Sequence, residues 1–527
     1  MPRSVRPLRL GARHIASVVL GAGSLVFTGH QLWVARSAGL PPAPIPTFDV
    51  ADYVVRAHAW AAVWRSPSLE SFWTLATEVD PHPALHPALL GLVLAIGDHA
   101  PAVEGAWALA LAAVGLGMVA VLSGLVDGKA GIAAGCVAGA VLSAGLLWES
   151  MVTAPMTEPL AWVLVAGAVA AFLLAGDRAW SLLVAGALAV AAGATRFNLL
   201  PTLLVGLIFA TAFERHRSWS ARLARCAALV LPCVVVVGAL AVLSPDYLAG
   251  LRRFFTNVDS SIPPLSLANL QWFFGAWVRQ VFGTVPVSLA AAAVVIASLF
   301  ARTRPGANAA ADLPLFTVAL VGLGSLLAHP FKLDRNLFVF VPLVYLLVIL
   351  PLARIAIGTI ARWVFCLGGI VALVGFERAT EGLTTERYYS DDRHVQHALE
   401  AVADAAEHAD TVVLVGAHKD LSVAVVTYWL RRDGYAGTIV EQPAYPPACN
   451  TDRGEALEAC HPTMVATYAG SPRVVVVTVA DSGAKSRGRH KWASDAWDEV
   501  EAYLVPRGYR GAEVAVRAAG LRLRVYR

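Results

Sequence analysis

Long, nearly uncharged apolar runs recur along this chain, and such runs leave few ways to fold. A helix needs about 20 predominantly apolar residues to cross the hydrocarbon core of a bilayer. Against that length about eleven segments qualify: residues 14–36, 101–126, 131–148, 158–175, 180–195, 199–213, 227–243, 272–300, 313–327, 337–352 and 355–373. The stretch Ala88 to Ile96 is too brief to span and reads as a helix lying at the interface or dipping into it. Of the 527 residues, 57% are hydrophobic and 15% charged, with a mean hydropathy of +0.62, too apolar for one soluble core. The expectation is a polytopic α-helical membrane protein whose first partner is the lipid bilayer.

Charge adds two constraints. The net charge of +4 is small and spread out, and no basic patch with interleaved aromatics marks a nucleic-acid surface. Lys and Arg in short loops set orientation. With Arg3, Arg6, Arg9 and Arg13 in the cytoplasm, the same side receives Lys129, Arg178, Arg215, Arg217, Arg222, Arg225, Arg302, Arg304, Arg354 and Arg362. No small-residue cleavage site of clear quality follows the first segment, so it reads as a retained anchor in a multi-pass chain of the cell membrane. The outer face then holds the loop 38–86, the loop 244–271, the turn 329–336 and the tail.

The chain therefore divides into a transmembrane part, residues 1–378, and a soluble extracytoplasmic domain, residues 379–527. In the second part long apolar runs give way to short ones. Thr411 to Val415 and Val474 to Val479 predict buried strands, Leu421 to Arg432 and Trp492 to Leu504 predict amphipathic helices, and Arg517 to Leu521 the turn of a closing hairpin. Strands alternating with helices predict an α/β layer domain. Four of the six cysteines lie in apolar runs, where a thiol behaves as a small hydrophobe. Cys449 and Cys460 fall in a polar segment outside the cytoplasm, where either a disulfide or two thiols fits. Gly416, between a strand and a helix, has too little glycine around it for a nucleotide loop.

Carboxylates and cations from distant segments converge on the outer face. Asp49 and Asp52 follow the first span and would share one face of a helix. Glu158 opens the fourth span, Arg196 breaks an apolar run at the turn between the fifth and sixth, and Lys332 and Arg335 flank the ninth on its outer side. Ionisable groups at such places are functional candidates. His82 and His86 sit in His82-Pro83-Ala84-Leu85-His86-Pro87-Ala88-Leu89-Leu90. Carboxylates suit activation of a hydroxyl nucleophile, and fixed cations suit a leaving group that departs as a phosphate.

In this order of features the chain resembles the GT-C polyprenyl-phosphate-dependent glycosyltransferases, the protein mannosyltransferase and aminoarabinose transferase types. Asp49-Val50-Ala51-Asp52-Tyr53-Val54-Val55-Arg56-Ala57 is similar to the family's acidic motif, with Val50 where a Glu is usual. His86-Pro87-Ala88-Leu89-Leu90 resembles its His-Pro-Pro-Leu stretch, Met156-Thr157-Glu158-Pro159-Leu160 its acidic residue at the fourth span, and Lys332 to Pro342 its later outer turn, with Asn336 where an aromatic is common. The resemblance covers roughly Val18 to Leu352.

It implies transfer of a sugar from a polyprenyl phosphate to a glycan, lipid or protein acceptor hydroxyl, with inversion. Asp49 would be the general base, with Asp52 or Glu158 supplying the second carboxylate. Arg196, Lys332 and Arg335 would hold the departing phosphate, helped by His82 and His86. A divalent metal, Mg²⁺ or Mn²⁺, held by Asp49, Glu158 and a histidine, would suit hard carboxylate oxygens, and the residues leave that open. Two other classes stay in view: a transporter or flippase of a lipid-linked saccharide, and an inactive membrane scaffold. The chain shows no clear internal repeat of the transporter kind.

Overall fold

The computed structural model describes residues 45–46, 48–78, 83–97, 101–128, 130–143, 155–176, 178–214, 217–256, 266–278, 281, 285–302, 309–328, 334–355, 389–390, 393–415, 421–432, 434–442, 473–481, 504–514 and 521–527. The expected spans 14–36 and 355–373, the helix from Trp492, Gly416 and both Cys449 and Cys460 lie wholly or almost wholly outside these. The chain forms two compact units, residues 1–36 with 59–386, and residues 37–58 with 387–527.

The helices of the first unit, in chain order, are α1 (Phe48–Arg65, whose residues 48–58 group with the second unit), α2 (Leu69–Ala76), α3 (Leu85–Gly97), α4 (Pro101–Val126) and α5 (Gly131–Ser143). They continue with α6 (Thr157–Leu174), α7 (Ala179–Gly193), α8 (Leu199–Ala212), α9 (Trp219–Leu243) and α10 (Pro245–Thr256). The last are α11 (Leu267–Trp277), α12 (Val285–Arg302), α13 (Ala309–Ala328) and α14 (Val341–Ile355), with a 3-10 turn at Asp334–Leu337. Among the described residues, Val103–Val126, Thr157–Leu174 and Trp219–Leu243 are long and apolar enough to cross a membrane. The protein is a helical membrane protein.

Of the apolar run 272–300, expected as one span, the described residues include the end of α11 and most of α12. Small residues let the helices approach closely, as membrane interfaces require. A Cβ on Gly186 of α7 would stand 2.2 Å from the Leu229 carbonyl oxygen of α9, and one on Gly206 of α8 would stand 2.9 Å from Val318 Cα of α13. Side chains lock the same packing, because a buried donor left unpaired in lipid is costly. Trp162 Nε1 donates to the Gly115 carbonyl at 2.8 Å, and Ser181 Oγ to that of Ala171 at 2.7 Å.

In the second unit a five-stranded sheet runs in the order β4-β3-β5-β7-β6, where β3 is Thr411–Val415, β4 Thr438–Gln442, β5 Val474–Asp481, β6 Gly511–Val514 and β7 Leu521–Tyr526. The pairs β3–β4 and β3–β5 are parallel, while β5–β7 and β6–β7 are antiparallel. A separate antiparallel pair joins β1 (Ile45–Pro46) to β2 (Tyr389–Ser390). Among the described residues two helices accompany the sheet, α15 (Arg393–Ala406) and α16 (Val423–Arg432). In α15, Val395, Ala398, Leu399 and Val402 are buried at the spacing of one helix face. The core gathers Val413, Val415, Val474, Val476, Leu504 and Tyr526. The α/β layer domain read from the sequence is thus present, with the hairpin β6–β7 closing the sheet.

Candidate active site

The helix α6 begins Thr157-Glu158-Pro159, a sequence suited to a first turn. Pro159 lacks an N–H where the helix has no carbonyl to receive one, and a carboxylate favours the positive end of the dipole. Glu158 is nonetheless fully buried, so its charge needs a partner. That partner is Arg196, whose Nη1 forms an ion pair with Glu158 Oε1. The other carboxylate oxygen accepts from Thr157 Oγ1 at 3.2 Å.

Arg196 sits in the tight turn between α7 and α8. Its N–H donates to the Ala192 carbonyl at 2.8 Å, and its own carbonyl accepts from Leu199 at 2.9 Å. Gly193 allows the turn, since a Cβ there would fall 2.6 Å from Leu200 Cβ. The second guanidinium nitrogen, Nη2, donates to the amide oxygen of Asn336 in the 3-10 turn before α14. One planar fork thereby ties together the start of α6, the α7–α8 turn and the approach to α14, while 19% of the Arg196 side chain stays exposed.

His86 joins the same end of the bundle. The N–H of its neighbour Leu85 donates to the Ala194 carbonyl at 3.0 Å, which fixes the start of α3 against the Arg196 turn. His86 is completely buried, and its Nε2 accepts from Trp107 Nε1 of α4 at 3.3 Å. The proton of a neutral imidazole then belongs on Nδ1. One turn before Trp107 lies Glu104, only 3% exposed. The helix that carries His86 is tied to α1, against which α2 packs. Trp64 Nε1 donates to the Ala88 carbonyl at 2.8 Å, Arg65 Nη2 to that of Leu94 at 3.1 Å, and Phe72 packs edge-on against Trp60 at 5.1 Å.

A second ionic group occupies the far end of α4. Arg354 of α14 pairs with Asp127 at 2.8 Å and, through both terminal nitrogens, with Asp312 of α13 at 2.6 and 2.8 Å. From Trp107 to Asp127 the helix rises about 30 Å, the thickness of a hydrocarbon core. Glu214, Arg217, Arg225 and the Gly176 carbonyl form a further cluster where α6 ends. Charge is thus gathered at two ends of an apolar bundle.

Of the residues expected to carry chemistry, the structure joins Glu158 directly to Arg196 and brings His86 to the same end. Asp49 and Asp52 lie on α1, three residues apart on one helical face; Asp52 is half-buried. Arg335 belongs to the 3-10 turn beside Asn336. The side chains of Asp49 and Arg335, and all of His82 and Lys332, lie outside the described residues. Sequence reasoning passed over Glu104, Trp107 and the bonding role of Asn336. Glu104 was readable as an ionisable group in an apolar run; the bond to Asn336 spans 140 residues and has no local pattern.

Among the described residues no three His, Cys, Asp or Glu side chains are grouped to hold a metal ion. Glu158 fits a divalent cation poorly. Its two oxygens already accept from the guanidinium and the Thr157 hydroxyl, and the guanidinium charge repels a cation.

No family model matches the chain, and no curated protein matches it in sequence. Solved structures do. ArnT from Cupriavidus metallidurans bound to undecaprenyl phosphate is similar over 95% of this chain and 98% of its own, at 13% identity and a TM-score of 0.58. The oligosaccharyltransferase AglB from Archaeoglobus fulgidus, in complex with an inhibitory peptide and a dolichol-phosphate, is similar over 95% of this chain and 72% of its own, at 12% identity and a TM-score of 0.53. Another structure of the archaeal oligosaccharyltransferase, in complex with Zn and sulfate, gives 11% identity and a TM-score of 0.54. The fold and the clustered charges define a polytopic membrane protein with an added α/β domain. Its architecture is the GT-C fold shared with these solved structures.

Proposed function

We propose that the chain is a membrane glycosyltransferase that moves a sugar from a polyprenyl phosphate to an acceptor hydroxyl outside the cytoplasm. The observation that most supports this is the buried group Glu158, Arg196 and Asn336 at one end of a GT-C bundle, a fold whose relatives have been solved with undecaprenyl phosphate and with dolichol-phosphate.

In this reading Asp49 removes the acceptor proton as that oxygen attacks the anomeric carbon. The bond from that carbon to the phosphate oxygen breaks, the polyprenyl phosphate leaves with the electron pair, and the configuration inverts. Asp52 takes the place of the acid missing at Val50. Arg196, Lys332 and Arg335 receive the negative charge that grows on the phosphate, and His82 and His86 orient it. Fixed donors aimed at developing charge act strongly because they need no reorganisation. Glu158, already paired, serves as a positioning residue for Arg196.

Purified protein in lipid nanodiscs, given radiolabelled undecaprenyl-phosphate sugars and a mixture of envelope acceptors, should release undecaprenyl phosphate as labelled product forms. Movement of the lipid-linked sugar across the bilayer with no new glycosidic bond would mean a flippase instead.

A further inference from the structure

The α/β domain carries a cavity of ≈ 380 Å³ that none of the chemistry above uses. It opens where the parallel strands β3 and β5 begin, between the end of α15 and the turn leading into β6. Nucleotides bound to α/β sheets sit beyond the carboxyl ends of the strands, so this position suits a different ligand.

Its walls combine three kinds of group. Arg473, Arg527, Asp404 near the end of α15 and His408 just beyond it are among the lining residues, which brings two arginines, a carboxylate and an imidazole to the site. Tyr509 packs against the hydrophobic core of the domain, which fixes the wall that it forms. Arg473 is held by its backbone: at φ 67° it is a non-glycine residue in the left-handed region, and its carbonyl accepts from Asp410 N at 2.8 Å and from Thr411 N at 3.4 Å. A second left-handed residue, Gly508 at φ 91°, lines the same cavity. Residues kept in such conformations collect at ligand sites. The Arg473 side chain meets Asp410 only at 3.6 Å and remains 69% exposed, so its donors are available to a ligand.

We propose that this cavity binds a saccharide bearing an anionic substituent, a carboxylate or a phosphate. The two arginines of the lining supply donors for the anion, Asp404 accepts from sugar hydroxyls, and the ring of Tyr509 takes the apolar side of the pyranose. The choice of a sugar rests on the glycosyltransferase reading, with this site holding acceptor or product glycan; the anion preference rests on the cavity alone.

Equilibrium dialysis of the full chain in lipid nanodiscs tests it with four probes: methyl glucuronide, methyl glucoside 6-phosphate, methyl glucoside and inorganic phosphate. At least one anionic glycoside should bind about tenfold more tightly than methyl glucoside, and the tighter of the two identifies the substituent. Arg473→Gln and Arg527→Gln should each weaken that binding about tenfold, and Asp404→Asn should weaken it while leaving inorganic phosphate unaffected. All three side chains are solvent-exposed, so unchanged circular dichroism is expected of each variant. Binding of inorganic phosphate as tight as that of the glycosides, no binding of either anionic glycoside, or binding indifferent to all three substitutions overturns the proposal. The assay needs neither donor lipid nor turnover, so protein that transfers sugar without binding these probes sinks this site alone.

Discussion

Glu158 and Arg196, 38 residues apart in the chain, form an ion pair in which the carboxylate is fully buried and the guanidinium keeps 19% of its side chain exposed. A charge of that kind left unpaired is expensive. Glu158→Gln should therefore destabilise the protein by about 3 kcal/mol, the low end of the ~3–5 kcal/mol typical of a broken buried pair, because Arg196 retains some solvent. Thermal unfolding in detergent measures the loss. Arg196→Gln combined with Glu158→Gln should be less damaging than the sum of the two single changes.

Asn336 holds the other arm of the same guanidinium. Asn336→Ala should cost about 1.5–3 kcal/mol, as expected for a hydrogen bond to a charged group. In the proposed reading it should also lower turnover, since Arg196 would lose its fixed orientation. Asn336→Asp should restore stability more than turnover: a second carboxylate satisfies the guanidinium but opposes an incoming phosphate.

At the opposite end of α4, Arg354 bridges Asp127 and Asp312. Arg354→Met should destabilise by several kcal/mol, roughly the ~3–5 kcal/mol of a broken buried pair, because two carboxylates are left facing each other. Below the lowered melting temperature, specific activity should be preserved. An activity loss without a stability loss would mean that this cluster does more than join α4, α13 and α14.

Gly186 and Gly238 provide a matched comparison. A Cβ on Gly186 meets the Leu229 carbonyl at 2.2 Å, whereas one on Gly238 meets nothing within 4 Å. Gly186→Leu should lower expression and melting temperature sharply, and Gly238→Leu should leave both nearly unchanged, read by fluorescence-detected size exclusion and thermal unfolding.

The apolar periodicity made most of this architecture legible, because a span must bury every backbone polar group inside its own helix and so needs an unbroken run. The runs over α4 and α6 are read almost to the residue, and that over α9 at its C-terminal end. The α/β domain was legible where apolar residues cluster, at β3, β5 and α16; the turn expected at Arg517 to Leu521 lies almost wholly outside the described residues. The helix α15 and the strand β4 escaped: β4, Thr438–Gln442, carries only Ile439 and Val440 as apolar residues, and the small alanines of α15 make its apolar face weak. In the candidate site, the individual charges were visible as exceptions in an apolar chain. Their pairings were not: the clamp of Glu158, Arg196 and Asn336 depends on helix packing between segments 38 and 140 residues apart. That pairing changes the reading of Glu158 from a free carboxylate to one that orients Arg196.

Glycosyl transfer with Asp49 as base can be measured as transfer of labelled sugar from polyprenyl phosphate by membranes containing Asp49→Asn protein. Asp49→Asn should lower transfer by at least about a hundredfold, the contribution of a general base, with normal expression and melting temperature, and Asp52→Asn should lower it less. Wild-type transfer by Asp49→Asn protein would contradict Asp49 as base.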